Sequence, residues 1–433
     1  MARIHWVLAI LLIGAFHAYG LRHFGRAIPF QAGTEHHDAV IMVQRIEEAN
    51  NPWKWFVSDW PLYNGFYRPL PTLAFELDHA LFGENLVRFL IFNQLVAVVC
   101  SLLVVWFVWE LFRRPGAAVA CGTVFAGWQA GVQELVPVAT IGWLAAIILV
   151  VRSLLHNRHA FLQWLLIAAV IAYASRELGA EIASQDVSGQ SFSYRTIGWS
   201  PGRTATMLTM FALVCCAAYC RFERERQAQW CALSLLALVA AFLSYEQSVV
   251  VAGLLLACGV ALALQGVRVR WWFHAMAWLM TLIYVLLHRM VLPPNTRYWT
   301  QAARGVKGGI RGIVRFLFPA SDDVLILWSD LPIGIPLLLI PVPYTTAVQI
   351  AANVLTWTKA RSQWLALTFG LIVSTGAYAP MSFQHFLAHY YHLPMAIRTI
   401  LVVWLFILAW DLSLNAASHQ KTSAPQGLAP ELR

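Results

Sequence analysis

Apolar residues along this chain gather into long unbroken runs separated by short polar joints. A helix needs roughly 20 consecutive apolar residues to cross the hydrocarbon core of a bilayer. By that measure the runs predict spans near residues 4–20, 86–112, 116–131, 138–155, 160–175, 202–221, 228–244, 247–264, 271–291, 331–356, 362–379 and 394–414. The fold class expected is an all-α, polytopic membrane protein of about 12 transmembrane helices, forming one membrane domain over residues 1–415. The first run reads as an uncleaved helix, with a cleaved secretory signal as the alternative. Two long polar loops, residues 21–85 and 292–330, interrupt the runs, and residues 416–433 form a polar tail expected to be disordered.

Charge orients these spans. Arg113 with Arg114, Arg152 with Arg158, Arg221 with Arg224 and Arg226, Arg268 with Arg270, and Lys359 with Arg361 occupy alternate short joints. The positive-inside bias places those joints and both termini in the cytoplasm, and both long loops outside. The composition agrees: 59% of the 433 residues are hydrophobic and 12% charged. The net charge of +9 then marks membrane edges facing anionic lipid, so no nucleic-acid partner is expected. The seven cysteines lie within or at the ends of apolar runs without a CxxC pair, which argues against a disulfide or zinc framework. Richness in Ala, Arg and Trp with few lysines points to a bacterial inner membrane, with the long loops in the periplasm.

Chemistry is expected on the outer face. The stretch GFYRPLPTLAFELDHALFGEN, Gly65 to Asn85, carries Pro69 and Pro71 where a helix can begin, and apolar Leu73, Leu77, Ala80 and Leu81. It predicts an interfacial helix ending at Gly83. Upstream, TEHHDAVIMVQRIEEANNPW predicts a helix from Ala39 to Ala49, with Glu35 and Asp38 three apart on one face. Asp38 is read either as the N-cap of that helix or as a general base. Glu35, His36, His37 and Asp38 include metal-ligand types, but consecutive residues cannot all converge on one ion. A divalent metal therefore stays possible and no metal site is assigned. Arg68 either meets a phosphate or ties the loop to Asp78 or to lipid. In the second loop Lys307, Arg311 and Arg315 recur every four residues, a cationic helical stripe for a donor phosphate or for ordinary headgroups. Glu134 and Glu246 sit at outer helix ends, where an acid needs a partner. His385, His389 and His392 are spaced to line one face. Trp53, Trp55 and Trp60 suit an interfacial belt better than a sugar-stacking cleft.

Four of these segments resemble motifs of the GT-C membrane glycosyltransferases, the branch that includes the TMTC O-mannosyltransferases and bacterial relatives. Tyr67, Arg68, Pro69 and Leu70 match YRPL; Asp78, Ala80, Leu81, Phe82 and Gly83 match LDYALFG; and Phe89 with Asn93 match FHLxNLLLH. GWSPGRTATML, Gly198 to Leu208, is similar to the family's W-x-S-G-R-x-D-L-L, and LSYEQSVVV places Glu246 on its glutamate. HYYHLP, from His389, stands where relatives carry R-Y-L-Y-L-P. The chain departs from the pattern at His389, where the family has Arg, at His37 and Asp38, where it often has two Asp, and at residues 135–190, which insert a hairpin.

The resemblance implies GT-C-like architecture and transfer of a sugar from a polyprenyl phosphate to a glycan, lipid or protein acceptor on the outer face. Asp38, or Glu35 one turn earlier, would be the catalytic acid, with Arg68, Lys307, Arg311, Arg315 and His389 on the donor phosphate. Tyr67, Asp78, Glu134 and Glu246 are further site candidates. The rivals are a transporter or flippase without bond chemistry and a surface-polysaccharide polymerase or ligase.

Overall fold

The computed structural model describes residues 1–27, 34–83, 85–132, 138–156, 161–179, 191–292, 305–317, 361–384 and 387–422. Among these residues the chain is helical and has no strand. Seven helices there are long and apolar enough to cross a membrane: Arg3–Gly20, Arg88–Phe112, Ser200–Glu225, Glu246–Leu264, Trp271–Val291, Gln363–Ser382 and Ala388–Leu414. Of the twelve runs expected from sequence, 331–356 lies outside the described residues and each of the others coincides with helix. Some are too short to count as spans by themselves, such as Ala228–Phe242.

The helices are α1 (Arg3–Ala27), α2 (Thr34–Ala49), α3 (Pro69–Phe82), α4 (Leu86–Phe112), α5 (Pro115–Gln129), α6 (Val138–His156), α7 (Phe161–Leu178), α8 (Arg203–Glu225), α9 (Ala228–Phe242), α10 (Val250–Leu264), α11 (Trp271–Val291), α12 (Gly305–Leu317), α13 (Arg361–Thr368), α14 (Ser374–Ser382) and α15 (His392–Thr422). They divide into two compact units. One comprises Met1–Val136, Glu181–Phe318 and Trp364–Leu401, the other Pro137–Ala180, Pro319–Gln363 and Val402–Arg433.

In the second unit α6 and α7 pack as a hairpin through Ala146, Ala168 and Ala172, and Ile167 meets Leu412. Small residues let the two backbones approach, as is usual where lipid removes any hydrophobic drive between helices. The hairpin falls within residues 135–190, where the sequence led one to expect it.

The first unit has two polar ends. At one, the joints rich in arginine meet. Arg113 pairs with Glu110 at 2.5 Å, and Arg224 donates to the carbonyls of Glu110 and Leu111 at 3.0 and 3.1 Å, ending α4. Arg226 pairs with Glu223 at 2.6 Å and bonds the Arg268 carbonyl, while the Arg270 N–H donates to Glu223. Joints 113–114, 221–226 and 265–270 therefore share one end, as alternating antiparallel spans require.

The other end carries the first long loop. Pro69 and Pro71 contribute no N–H to the first turn of α3, and the intervening Leu70 N–H donates across to the Leu243 carbonyl at 3.1 Å. The helix ends at Gly83 with φ of 60°, as expected. Beneath it, Met42, Val43, Ile46, Trp55, Trp60, Phe75 and Phe89 form one apolar core that joins α2, α3 and the start of α4. Helix α2 begins at Thr34, not Ala39. Asp38 thus lies inside the helix, and the N-cap reading of it is corrected.

Candidate functional site

The loop between α2 and α3 is shaped by Asp59. Its two carboxylate oxygens accept the backbone N–H groups of Gly65 (2.7 Å) and Phe66 (2.9 Å), and the Trp60 N–H returns to the Phe66 carbonyl at 3.0 Å. Gly65 has φ of +84°, a conformation that a side chain would strain. Burial pushes the Asp59 carboxyl above the usual carboxylate range even though backbone N–H groups oppose the shift. Trp55 donates to Glu76 at 2.6 Å and the Tyr67 hydroxyl to the Phe56 carbonyl at 3.0 Å, fixing the loop against α3.

That loop delivers Arg68 to Glu246. The Arg68 Nε and an Nη each donate to Glu246 Oε2, at 3.0 and 2.8 Å, and the Tyr67 N–H donates to Oε1 at 2.9 Å. The guanidinium is packed by the rings of Phe66, Tyr245 and Trp60, 3.9, 4.4 and 4.7 Å from its central carbon. Ring faces attract a cation most when water is excluded, and here Arg68 is buried. Of the sequence alternatives for Arg68, the tie to Asp78 is corrected: its carboxylate partner is Glu246. Burial also raises the Tyr67 phenol.

Asp78 is held instead by Arg203, at 2.5 Å, with both side chains buried. Arg203 opens α8, where the helix dipole disfavours a cation, so a nearby anion is needed. Its Nε donates to Asn93 Oδ1 at 2.8 Å and an Nη to the Phe89 carbonyl at 2.9 Å. Asn93 in turn donates to the carbonyls of Ile197 and Trp199, both at 3.2 Å. Burial raises the Asp78 carboxyl, outweighing the opposite pull of Arg203. Gly202, one residue earlier, presses on the Arg195 carbonyl, where a Cβ would overlap it.

His389 sits on a short turn, Ala388–Tyr391, ahead of α15. Its ring lies 5.1 Å from that of Trp199 and 4.6 Å from that of Tyr390, with Nε2 3.5 Å from the Tyr245 hydroxyl. His392 does not share this surroundings: it is buried in the bundle, between Gln129 and Thr209, each at 2.8 Å. The expectation that the histidines line one face fails for this pair because the chain turns between them.

Asp38 is half-buried on α2, and α2 also touches the Ser200–Gly202 turn beside Trp199. Lys307 and Arg311 are exposed on α12, whose opposite face packs Gly309, Gly312 and Phe316 towards α14. Glu134 and His385 lie outside the described residues, as do the side chains of Glu35 and Arg315. Among the described residues no group of three or more His, Cys, Asp or Glu side chains could hold a metal ion. Sequence reasoning did not single out Asp59 or Arg195, and it took in Trp199 and Arg203 only as part of the Gly198–Leu208 motif, without a role. The Asn64-Gly65 turn after Asp59 and an arginine at the edge of an apolar run were the available signals. Comparison of the chain with family models, with curated proteins and with solved structures finds no match.

Proposed function

We propose that this chain is a membrane glycosyltransferase of the GT-C type with about twelve spans. It moves a sugar from a polyprenyl phosphate to an acceptor hydroxyl at the extracytoplasmic face of a bacterial inner membrane. One observation carries the reading. The segments that resemble the family, far apart in sequence, meet at a single end of the first unit: Arg68 with Glu246, Asp78 with Arg203 and Asn93, and Trp199 with His389.

In this proposal Asp38 takes the proton of the acceptor hydroxyl as its oxygen attacks the anomeric carbon. The bond from that carbon to the phosphate oxygen breaks, its electron pair leaves with the phosphate, and polyprenyl phosphate is released. Lys307, Arg311 and Arg315 face the developing phosphate charge, and Glu35 is the reserve base. Arg68, already matched by Glu246, orders the loop that brings α2 and α3 together. The test is transfer of labelled sugar from polyprenyl-phosphate donors by the purified protein in lipid vesicles. Transfer by the wild type that is lost in Asp38→Asn supports the reading, and no transfer from any such donor ends it.

The transport alternative is favoured by a different observation. His17, Ser101, Gln129, His392 and Thr209 form a buried chain of polar contacts through the bundle. Polar groups inside a membrane protein mark transport paths as well as structural contacts. Movement of a lipid-linked sugar between leaflets, without cleavage, in the same vesicles would select it.

A further inference from the structure

At the arginine-rich end of the first unit the charges do not balance. Glu110, Glu223 and Glu225 are met by Arg113, Arg226 and Arg221, and Arg224 donates to the carbonyls that end α4. Arg268 and Arg270, in the joint between α10 and α11, are exposed, and among the described residues neither guanidinium forms an ion pair with a carboxylate. Two like charges held close repel, and one shared anion relieves both.

The shape of the joint is set by its backbone. Helix α10 ends in a glycine cap: Gly266 has φ of +85°, and the Gly266 and Val267 N–H groups return to the carbonyls of Ala263 and Leu262 at 2.9 and 3.0 Å. Residues 267–270 then run without helix until α11 starts at Trp271. Arg226 donates to the Arg268 carbonyl, and the Arg270 N–H donates to Glu223, so both backbones are pinned while both side chains stay outside. Exposure alternates along the run: Val267 and Val269 are half-buried, Arg268 and Arg270 exposed. An extended chain rises about 3.3 Å per residue and turns alternate side chains to one side, so the two arginines leave the same face about 6.6 Å apart. Arg270 is steadied further by Phe222, whose ring centre lies 5.1 Å from the guanidinium carbon.

An apolar stripe begins where the arginines end. Trp271 and Trp272 are exposed at the first turn of α11, and Trp278, Leu279, Leu282 and Ile283 continue that exposed side. From Trp272 to Ile283 a helix rises about 16 Å, which matches one leaflet of a hydrocarbon core about 30 Å thick. Indoles favour the level of the headgroups, so Trp271 and Trp272 mark where a lipid would change from polar to apolar.

We propose that Arg268 and Arg270 clamp the phosphodiester of an anionic phospholipid whose acyl chains lie along α11. Each guanidinium meets one of the two non-ester oxygens, a charge-assisted contact with a fixed donor geometry. Excess positive charge along a whole membrane edge attracts anionic lipid without choosing a place; here one pinned joint and one stripe choose it. A zwitterionic headgroup carries its own ammonium beside the phosphate and is therefore the weaker ligand. The site is independent of the chemistry at the opposite end of the unit.

The test titrates the full chain, in a non-ionic detergent, with a short-chain phosphatidylglycerol, and separately with phosphatidylcholine of the same chains and with glycerol 3-phosphate. Native mass spectrometry counts what stays bound. Phosphatidylglycerol should be retained in preference to both other probes. Arg268→Gln and Arg270→Gln should each weaken its binding about fivefold and the double variant about 25-fold, with unfolding midpoints near that of wild type. Arg221→Gln removes the same charge at the same end, but from an arginine that Glu225 already engages, so binding should not change. Equal weakening by Arg221→Gln would mean diffuse attraction to the edge and overturns the clamp, as does a folded double variant that binds like wild type. Phosphatidylcholine retained as well as phosphatidylglycerol overturns the selection by charge. Glycerol 3-phosphate bound as tightly as the lipid overturns a lipid as the partner. Should the double variant fail to fold, a photoreactive phosphatidylglycerol on the wild type decides. Crosslinks within residues 268–283 that excess phosphatidylcholine does not displace support the site, and their absence overturns it.

Discussion

Asp78 and Arg203 face one another at 2.5 Å with both side chains buried, joining helix α3 to the first residue of α8. A buried ion pair is weak evidence for stability, since desolvating two charges offsets most of their attraction. Removing one partner is different, because the charge left behind stays buried. The pair therefore acts as a latch that specifies where α3 docks.

Asp78→Asn should accordingly destabilise the protein by about 3–5 kcal/mol, and Arg203→Met by a similar amount. The double variant should be more stable than either single one, because it strands no charge. Denaturant unfolding of the four proteins in detergent micelles measures this. Additive losses in the double variant would show that the two residues do not depend on each other.

The buried carboxyl of Asp59 sets a pH dependence. Its acidity is shifted upward on folding, so the folded state holds that proton more tightly than the unfolded chain does. The stability this contributes is complete below the ordinary carboxylate value of 3.8 and is lost as pH rises through the shifted value. Asp59→Asn keeps one acceptor oxygen but not the second, so it lowers the unfolding temperature generally and flattens its fall from mildly acidic to neutral pH. Unfolding midpoints of both proteins across that range check the prediction, and parallel profiles would exclude Asp59 as the titrating group.

Sidedness can be read by labelling single cysteines in a cysteine-free background. Trp53, 73% exposed at the loop between α2 and α3, should react from outside as Trp53→Cys. Arg268, at the arginine-rich end, should react from inside as Arg268→Cys. Both residues reacting from one side would contradict the alternation of spans and, with it, the outer placement of the site.

The helices were largely legible in sequence because apolar length and proline position act locally: the run 86–112 is α4, and Pro69 and Gly83 bracket α3. The start of α2 was missed because Asp38 offers a good cap signal that Thr34, four residues earlier, pre-empts. Partners were harder. Arg68 and Asp78 stand ten residues apart and invite pairing, yet each reaches a helix distant in sequence, Glu246 and Arg203 respectively. No local periodicity encodes that choice; it is made by how α3 lies across α8 and the turn between α9 and α10. The meeting of Trp199 with His389 was hidden for the same reason: both stand in segments that the sequence brings out, but 190 residues separate them and only the fold sets their rings together.

The last prediction concerns Asp38, and the position of α2 sharpens it. With the helix starting at Thr34, Asp38 is not its N-cap, so neither Asp38→Asn nor Asp38→Ala should cost the stability of a lost N-cap. Alanine in a helix interior is favourable by up to about 0.7 kcal/mol relative to other ordinary residues, which offsets part of any contact that Asp38→Ala removes. Activity compared at matched unfolding midpoints then reports chemistry. If Asp38 is the base, both variants should lose about 10² to 10⁴ in the rate of sugar transfer, with expression and unfolding midpoint unchanged. Asn and Ala should fall together, because neither offers a basic oxygen. Transfer at the wild-type rate by Asp38→Asn would remove Asp38 from the base role. A loss confined to Glu35→Gln would move the base one helical turn towards the start of α2, on the same helix.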